Sequence, residues 1–250
     1  MSQIPALHVS LGPLPLPLST YTQSLITRTP NAPHQAQLAL LKSQLLNSDY
    51  TTPHLLDPSS VPAFPSALLA PSVPEAKLPT DVHCQVIDLE DLSRSRWEVI
   101  EELERIERGE MNVGRAVVRI DNAGSDNEDH HPGDGVGDQA QPPGQAQGQG
   151  QNRQRGRRNV THRLALQDRT GRRVYALELT RIPRIGVGVT RIGEKILLKR
   201  GCTVARGMVL LEPTTCMFLG GQIEGLQKRW VEERLKVLRE MVGAVDAAGP

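Results

Sequence analysis

Residues 161–179, THRLALQDRTGRRVYALEL, decide the fold. Thr161–Gln167 alternates, with Leu164 and Leu166 on one face. Asp168-Arg169-Thr170-Gly171 has hairpin-turn character, and Val174–Leu179 alternates again. Val174, Ala176 and Glu178 lie on one side of that second strand, opposite Tyr175, Leu177 and Leu179. Downstream, KILLK (195–199) predicts another strand and Gly201 a turn. GMVLLE (207–212) and Thr215–Leu219 predict a strand pair, or one strand bent at Pro213, ended by Gly220-Gly221. Ile223, Leu226, Trp230, Val231, Leu235, Leu238 and Val242 then recur at the spacing of an amphipathic helix of about 20 residues.

Upstream, Val82, Cys84, Val86 and Ile87 mark a strand within Asp81–Leu89. RAVVRI (115–120) is a short strand candidate, and 113–120 is a rival to 82–89 for the first barrel strand. Ser95 followed by Glu98 is a capping-box spacing. Trp97, Ile100, Leu103 and Ile106 continue it as a helix over about 96–108, stopped by Gly109. Mainly β with helices, five short strands, glycines at the corners and a terminal helix imply a small closed barrel. The OB-fold is such a barrel; strand count alone leaves an SH3-like barrel open. The expected organisation is a proline-rich region over 1–79 with a helix near 33–48, an OB-fold over 80–221, and a C-terminal helix over 222–245. A long disordered insertion is expected at about 93–160. Residues 1–32 show little periodicity, and 53–79 hold seven prolines, which predicts turns with a helical turn near Ala67–Leu69.

Composition agrees with a core smaller than the chain. Hydrophobic residues are 38% and aromatics 3% of 250 residues, and the 19 prolines and 22 glycines are unevenly spread. Residues 121–159 form a low-complexity tract too poor in apolar side chains to offset ordering entropy. No run approaches the roughly 18 apolar residues of a spanning helix, so no membrane contact is expected. Cys84, Cys202 and Cys216 are odd in number and widely spaced, which argues against a disulfide framework and for a reducing compartment.

The formal net charge of +1 hides a dipole. Asp88–Asp129 carries thirteen acidic residues against six arginines, whereas Arg153–Arg206 carries fifteen basic residues against three acidic ones. Either the basic part meets a polyanion or an acidic partner, or the acidic part folds back on it. Arg153, Arg155, Arg157 and Arg158 are candidate DNA contacts, with only a weak grip on phosphates expected. Tyr175 is the lone aromatic among them, and single-strand-binding barrels usually add stacking rings to their charge. Trp97 and Trp230 read as packing anchors rather than base-stackers.

Catalytic and metal chemistry find no footing. His130-His131 lacks a second ligand pair at fixed spacing. Gly186-Val187-Gly188 with Gly193 precedes a strand where a nucleotide-binding loop would open a helix. The carboxylates of 98–110 read as a solvated helix face. No cofactor, small-molecule substrate or enzyme activity is expected.

Three motifs in order resemble the RecQ-mediated genome instability protein 1 family. They are Gly193-Glu-Lys195-Ile-Leu-Leu-Lys199, Arg206-Gly207-Met-Val-Leu-Leu-Glu212-Pro213 and Leu219-Gly220-Gly221-Gln-Ile-Glu224. Leu164-Ala-Leu166-Gln-Asp168-Arg-Thr-Gly171 resembles its strand and turn, with Arg169-Thr170 lengthening the turn. The chain looks like the short, single-OB fungal form. The resemblance implies a non-catalytic nuclear subunit of a complex between a RecQ-family helicase and topoisomerase III. Such a subunit promotes decatenation and dissolution of double Holliday junctions. It implies docking on the topoisomerase through the barrel and through an insertion that reaches the topoisomerase gate. Lys195, on the barrel surface, is the candidate polar contact, with an ordinary solvated strand lysine as the alternative. Trp97, Ile100, Leu103 and Ile106 are the candidate docking face. Two rivals stay open: an autonomous single-stranded-DNA-binding protein, and an interaction scaffold without a DNA role.

Overall fold

The structure is a computed structural model that describes residues 3–108 and 160–247. Its helices are α1 (Gln3–Val9), α2 (Ser19–Arg28), α3 (His34–Asn47), α4 (Arg96–Glu107) and α5 (Glu224–Ala247), with a 3₁₀ turn over Ser66–Leu69. Its strands are β1 (Ala76–Lys77), β2 (Val82–Asp91), β3 (His162–Asp168), β4 (Arg173–Glu178), β5 (Lys195–Leu198), β6 (Thr203–Ala205), β7 (Met208–Leu211) and β8 (Cys216–Gly220). RAVVRI, Gly109 and Arg153–Arg158 lie outside the described residues.

The eight strands form one mixed sheet in the order β1-β6-β7-β4-β3-β2-β5-β8. Apart from the two-residue β1 at one edge, its two ends are parts of one hairpin. Thr203 pairs with Leu210 in β6–β7, Leu198 pairs with Cys216 in β5–β8, and Lys199 N–H donates to Thr215 O between them. β5 and β6 are therefore one bent strand, and β7 and β8 another. Five long staves result, with β2, β3 and β4 antiparallel in sequence, β4 parallel to β7 and β5 antiparallel to β2. This is the OB-fold circuit. The sequence reading passed over β6, whose three residues are too short for a periodic signal, and the two-residue β1.

Alternation places Val82, Cys84, Val86 and Leu89 inside with Leu164, Leu166, Val174, Ala176, Ile196, Leu198, Val204, Val209 and Leu211. The β2–β3 register shifts between Val86 and Asp88, a bulge that returns Leu89 to the interior. Asp168 is buried at the hairpin turn. It accepts N–H bonds from Thr170, Arg172 and Phe64, so the turn also fastens the incoming chain.

Residues 1–32, expected to be irregular, contain α1 and α2. Leu7, Leu11 and Leu25 pack with Leu41, Leu45, Tyr50, Leu55, Leu56 and Val61 into a second cluster. Three short helices share one small core here, so no single helix carries enough periodicity to announce itself. This layer covers one outer patch of the barrel. His83 Nε2 lies 2.9 Å from Pro13 O, and Tyr50 N–H donates to Gln85 Oε1. A third cluster joins α4 to α5 through Ile100, Leu235, Leu238 and Val242.

Candidate functional site

β2 leaves the barrel wall at Asp91, and β3 begins opposite it at His162. Between them α4 starts at a complete capping box. Glu98 N–H donates to Ser95 Oγ, and Ser95 N–H donates to Glu98 Oε2. Ile100 is buried against Leu235, Leu238 and Val242, with Val99 and Leu103 packed beside it. Arg239 donates to Glu104 from α5. Hence the four candidates Trp97, Ile100, Leu103 and Ile106 do not form one open docking face. Ile100 and Leu103 are committed to α5, Ile106 is half-buried, and Trp97 alone stands out, 58% exposed. The reason is that α5 presents its own apolar stripe and needs a cover.

Lys195 is not on the surface, as either a partner contact or a solvated lysine: its exposure is 0%. It points outward from β5, as alternation requires, but the N-terminal layer lies over that patch. Its Nζ donates to Gln85 Oε1 at 2.9 Å and stands 4.5 Å from the Tyr50 ring centroid. Gln85 Nε2 donates to Asp49 Oδ1 and to Gln167 Oε1, so all four hydrogen-bonding positions of this amide are used. Burial pushes the Lys195 ammonium down to about 7, against the opposing charge of Asp49. Burial works to raise the Asp49 carboxyl, yet hydrogen bonds from Thr51 and Gln85 and the charge of Lys195 hold it below its ordinary value. The cluster is a seam between barrel and helical layer. Sequence reasoning missed Asp49, Tyr50 and Gln85 because the seam joins segments 35 and 110 residues apart.

The glycine signature completes that seam. Gly221 has φ +81°, and a Cβ there would stand 2.1 Å from Leu46 O at the end of α3. Residues 63–234 match the family described as RMI1, N-terminal OB-fold domain. The chain belongs to this family. A further match is to RecQ-mediated genome instability protein 1 of Schizosaccharomyces pombe, 38% identical over 73 residues, which cover 29% of this chain and 30% of that protein. The chain thus spans under a third of the length of the curated relative it matches.

One more surface belongs to this RMI1-family barrel. A groove of about 640 Å³ runs between the outer face of β2, β3 and β4 and the flank of α5. Tyr175 projects into it, 53% exposed, with the Arg163 guanidinium 4.8 Å from its ring centroid. Arg173 and Arg229 line the same groove. At its edge Trp230 Nε1–H and Arg234 both donate to Asp88 Oδ1, which makes Trp230 a packing anchor of α5. Across the described residues the acidic and basic stretches touch through one ion pair, Glu90–Arg163; the α4 acids pair with Arg94, Arg105 and Arg239. Among the described residues no group of three or more His, Cys, Asp or Glu is placed to hold a metal ion, and no helix is long and apolar enough to cross a membrane.

Proposed function

We propose that this protein is a non-catalytic OB-fold subunit of a nuclear complex containing a RecQ-family helicase and topoisomerase III. It stimulates decatenation and dissolution of double Holliday junctions, and so maintains genome stability. Family membership and the name of the fission-yeast relative support the setting. The observation that carries the partner reading is α4: a capped helix clamped to α5, presenting an exposed tryptophan where the chain departs between β2 and β3. Buried aromatics dominate protein interfaces, and a rigid helix presents Trp97 without ordering cost on binding. An insertion that binds the open topoisomerase gate better than the closed one shifts gating by its differential affinity, typically about 1–3 kcal/mol.

The test is decatenation by topoisomerase III with and without this chain. Replacing 109–158 by a Gly/Ser linker is the informative variant, because removing α4 as well would bare Leu235, Leu238 and Val242. Binding is expected to survive and stimulation to vanish. Persistent stimulation overturns the gate mechanism, and absence of any binding overturns the partner assignment.

A second reading, autonomous single-strand binding, has one observation in its favour: Tyr175 with Arg163 over its ring and Arg173 on the same outward strand face. It predicts oligonucleotide affinity without partners that falls steeply with salt, and that is lost on Tyr175→Ala.

A further inference from the structure

The segment between β4 and β5, residues 179–194, carries the glycine pattern that fits no nucleotide loop. Its backbone is fixed at many points. Ile182, Ile185 and Ile192 enter the barrel core. Arg181 donates to Glu178 and to the carbonyls of Ile182 and Ile185. Thr190 Oγ1 accepts from Gly186 N–H and donates to Arg184 O. Val189 and Thr190 N–H both return to Gly186 O, and Gly188, at φ +82°, turns the tip.

This fixed loop holds two valines in solvent: Val187 is 56% and Val189 58% exposed. The turn itself needs Gly188 and Thr190; it makes no use of two β-branched apolar side chains. Charge is sorted around them. Glu178 and Glu194 are buried, whereas Arg181, Arg184 and Arg191 reach the surface. Arg184 spans from the Glu194 carboxylate to the Phe218 ring, 5.7 Å from its centroid. Arg191 donates to Gln222. Arg184 and Arg191 thus line one shallow surface cavity with Val189, with Glu194 at its base, itself buried and held by Arg184.

The loop's position follows from register. Asp91 pairs with His162 and Arg163 with Leu177, so the end of β2, the start of β3 and the end of β4 share one rim of the barrel. The valine loop, which follows β4, and the start of α4, which follows β2, therefore both spring from this rim.

We infer that Val187 and Val189, with Arg184 and Arg191, form a second protein-docking point that inserts into a shallow apolar pocket rimmed by carboxylates on the topoisomerase. The inference rests on the partner assignment proposed above and gives it a second, chemically distinct anchor beside Trp97. Valines offer no face for stacking a base, so the tip suits a protein pocket rather than a nucleic-acid strand. A complementary acidic rim would speed encounter and fix orientation, and the apolar tip would slow dissociation.

The experiment is calorimetric titration of the full chain into topoisomerase III, with Val187→Ser/Val189→Ser and Arg184→Glu/Arg191→Glu double variants, each checked for an unchanged melting temperature. Because Arg184 also pairs with Glu194, Arg191→Glu alone is the fallback if the arginine pair destabilises the fold. We expect the valine variant to bind at least tenfold more weakly, and the arginine variant to bind more weakly with a flattened salt dependence. Binding of a dT30 oligonucleotide, measured in parallel, is expected to be unaffected by the valine change. Wild-type affinity in both variants overturns the inference and leaves the partner assignment standing. Failure of the wild-type chain to bind topoisomerase III overturns both. Loss of oligonucleotide binding instead, with topoisomerase binding intact, overturns the inference in favour of a nucleic-acid loop.

Discussion

Lys195 and Tyr50 meet across the seam between barrel and helical layer, the ammonium 4.5 Å from the ring centroid and neither side chain more than 1% exposed. Burial of Lys195 in that seam gives the fold a pH dependence of definite sign. Lys195 titrates near 7 in the folded chain and near 10.4 when unfolded, so between those values the unfolded chain holds the extra proton. Stability therefore rises as pH increases from 7, by at most about 1.4 kcal/mol per unit. Below 7 both states are protonated and the penalty is full and constant. The groups facing Lys195 include Asp49 and Cys84; burial raises the Cys84 and Tyr50 pKa values, so their ionisation opposes the gain at higher pH. Urea midpoints from pH 6.5 to 8.5 should climb for the natural chain, and Lys195→Met should flatten the slope. An unchanged slope in that variant would assign the dependence to another group.

The paired glycines separate backbone freedom from contact. Gly220 and Gly221 both have φ above +80°, yet a Cβ at 220 meets nothing within 4 Å, whereas at 221 it meets Leu46 O at 2.1 Å. Gly220→Ala should cost only the conformational penalty, about 1–2 kcal/mol. Gly221→Ala should cost clearly more, because a main-chain carbonyl at the end of α3 must move. Paired thermal melts check this, and equal losses would mean that α3 adjusts freely.

How much was legible follows from the range of each interaction. Strands β2, β3, β4, β5, β7 and β8 and helices α3, α4 and α5 announce themselves through local periodicity or a cap. Alternation along β5 points Lys195 outward, as the structure has it, but outward is not exposed here. No local pattern says that Tyr50 will lie over it. Likewise Ile100 and Leu103 read as a free apolar stripe, because nothing within 96–108 reveals that Leu235, Leu238 and Val242 are its partners. The N-terminal core was invisible for the same reason: Leu7, Leu25, Leu41 and Val61 are adjacent only once the chain has folded back.

Ile100 and Trp97, three residues apart on α4, should behave oppositely. Ile100→Ala opens a cavity against α5 and should destabilise by about 2–5 kcal/mol or release α4. In that case amide exchange over 99–107 accelerates while β3 and β4 stay protected. Trp97→Ala removes an exposed ring and should leave the melting temperature within a degree or two. Its effect should appear only in topoisomerase binding. A large loss of stability in Trp97→Ala would show that the ring serves the fold.

Asp88 holds the bulge of β2 to α5 by receiving both Trp230 Nε1–H at 2.7 Å and Arg234 at 3.0 Å, while Arg234 also donates to Leu89 O. Removing the carboxylate strands an indole N–H and half of a guanidinium that is itself only 11% exposed. The cost of leaving such donors without an acceptor is about 1–3 kcal/mol. Asp88→Ala should therefore lower the denaturation midpoint more than Trp230→Phe, which deletes one donor and leaves the Arg234–Asp88 pair in place. Because Trp230 and Asp88 are donor and acceptor of one hydrogen bond, the double variant should lose less than the sum of the single losses. Strict additivity would mean that Trp230 and Asp88 stabilise the barrel independently, with α5 anchored by packing alone.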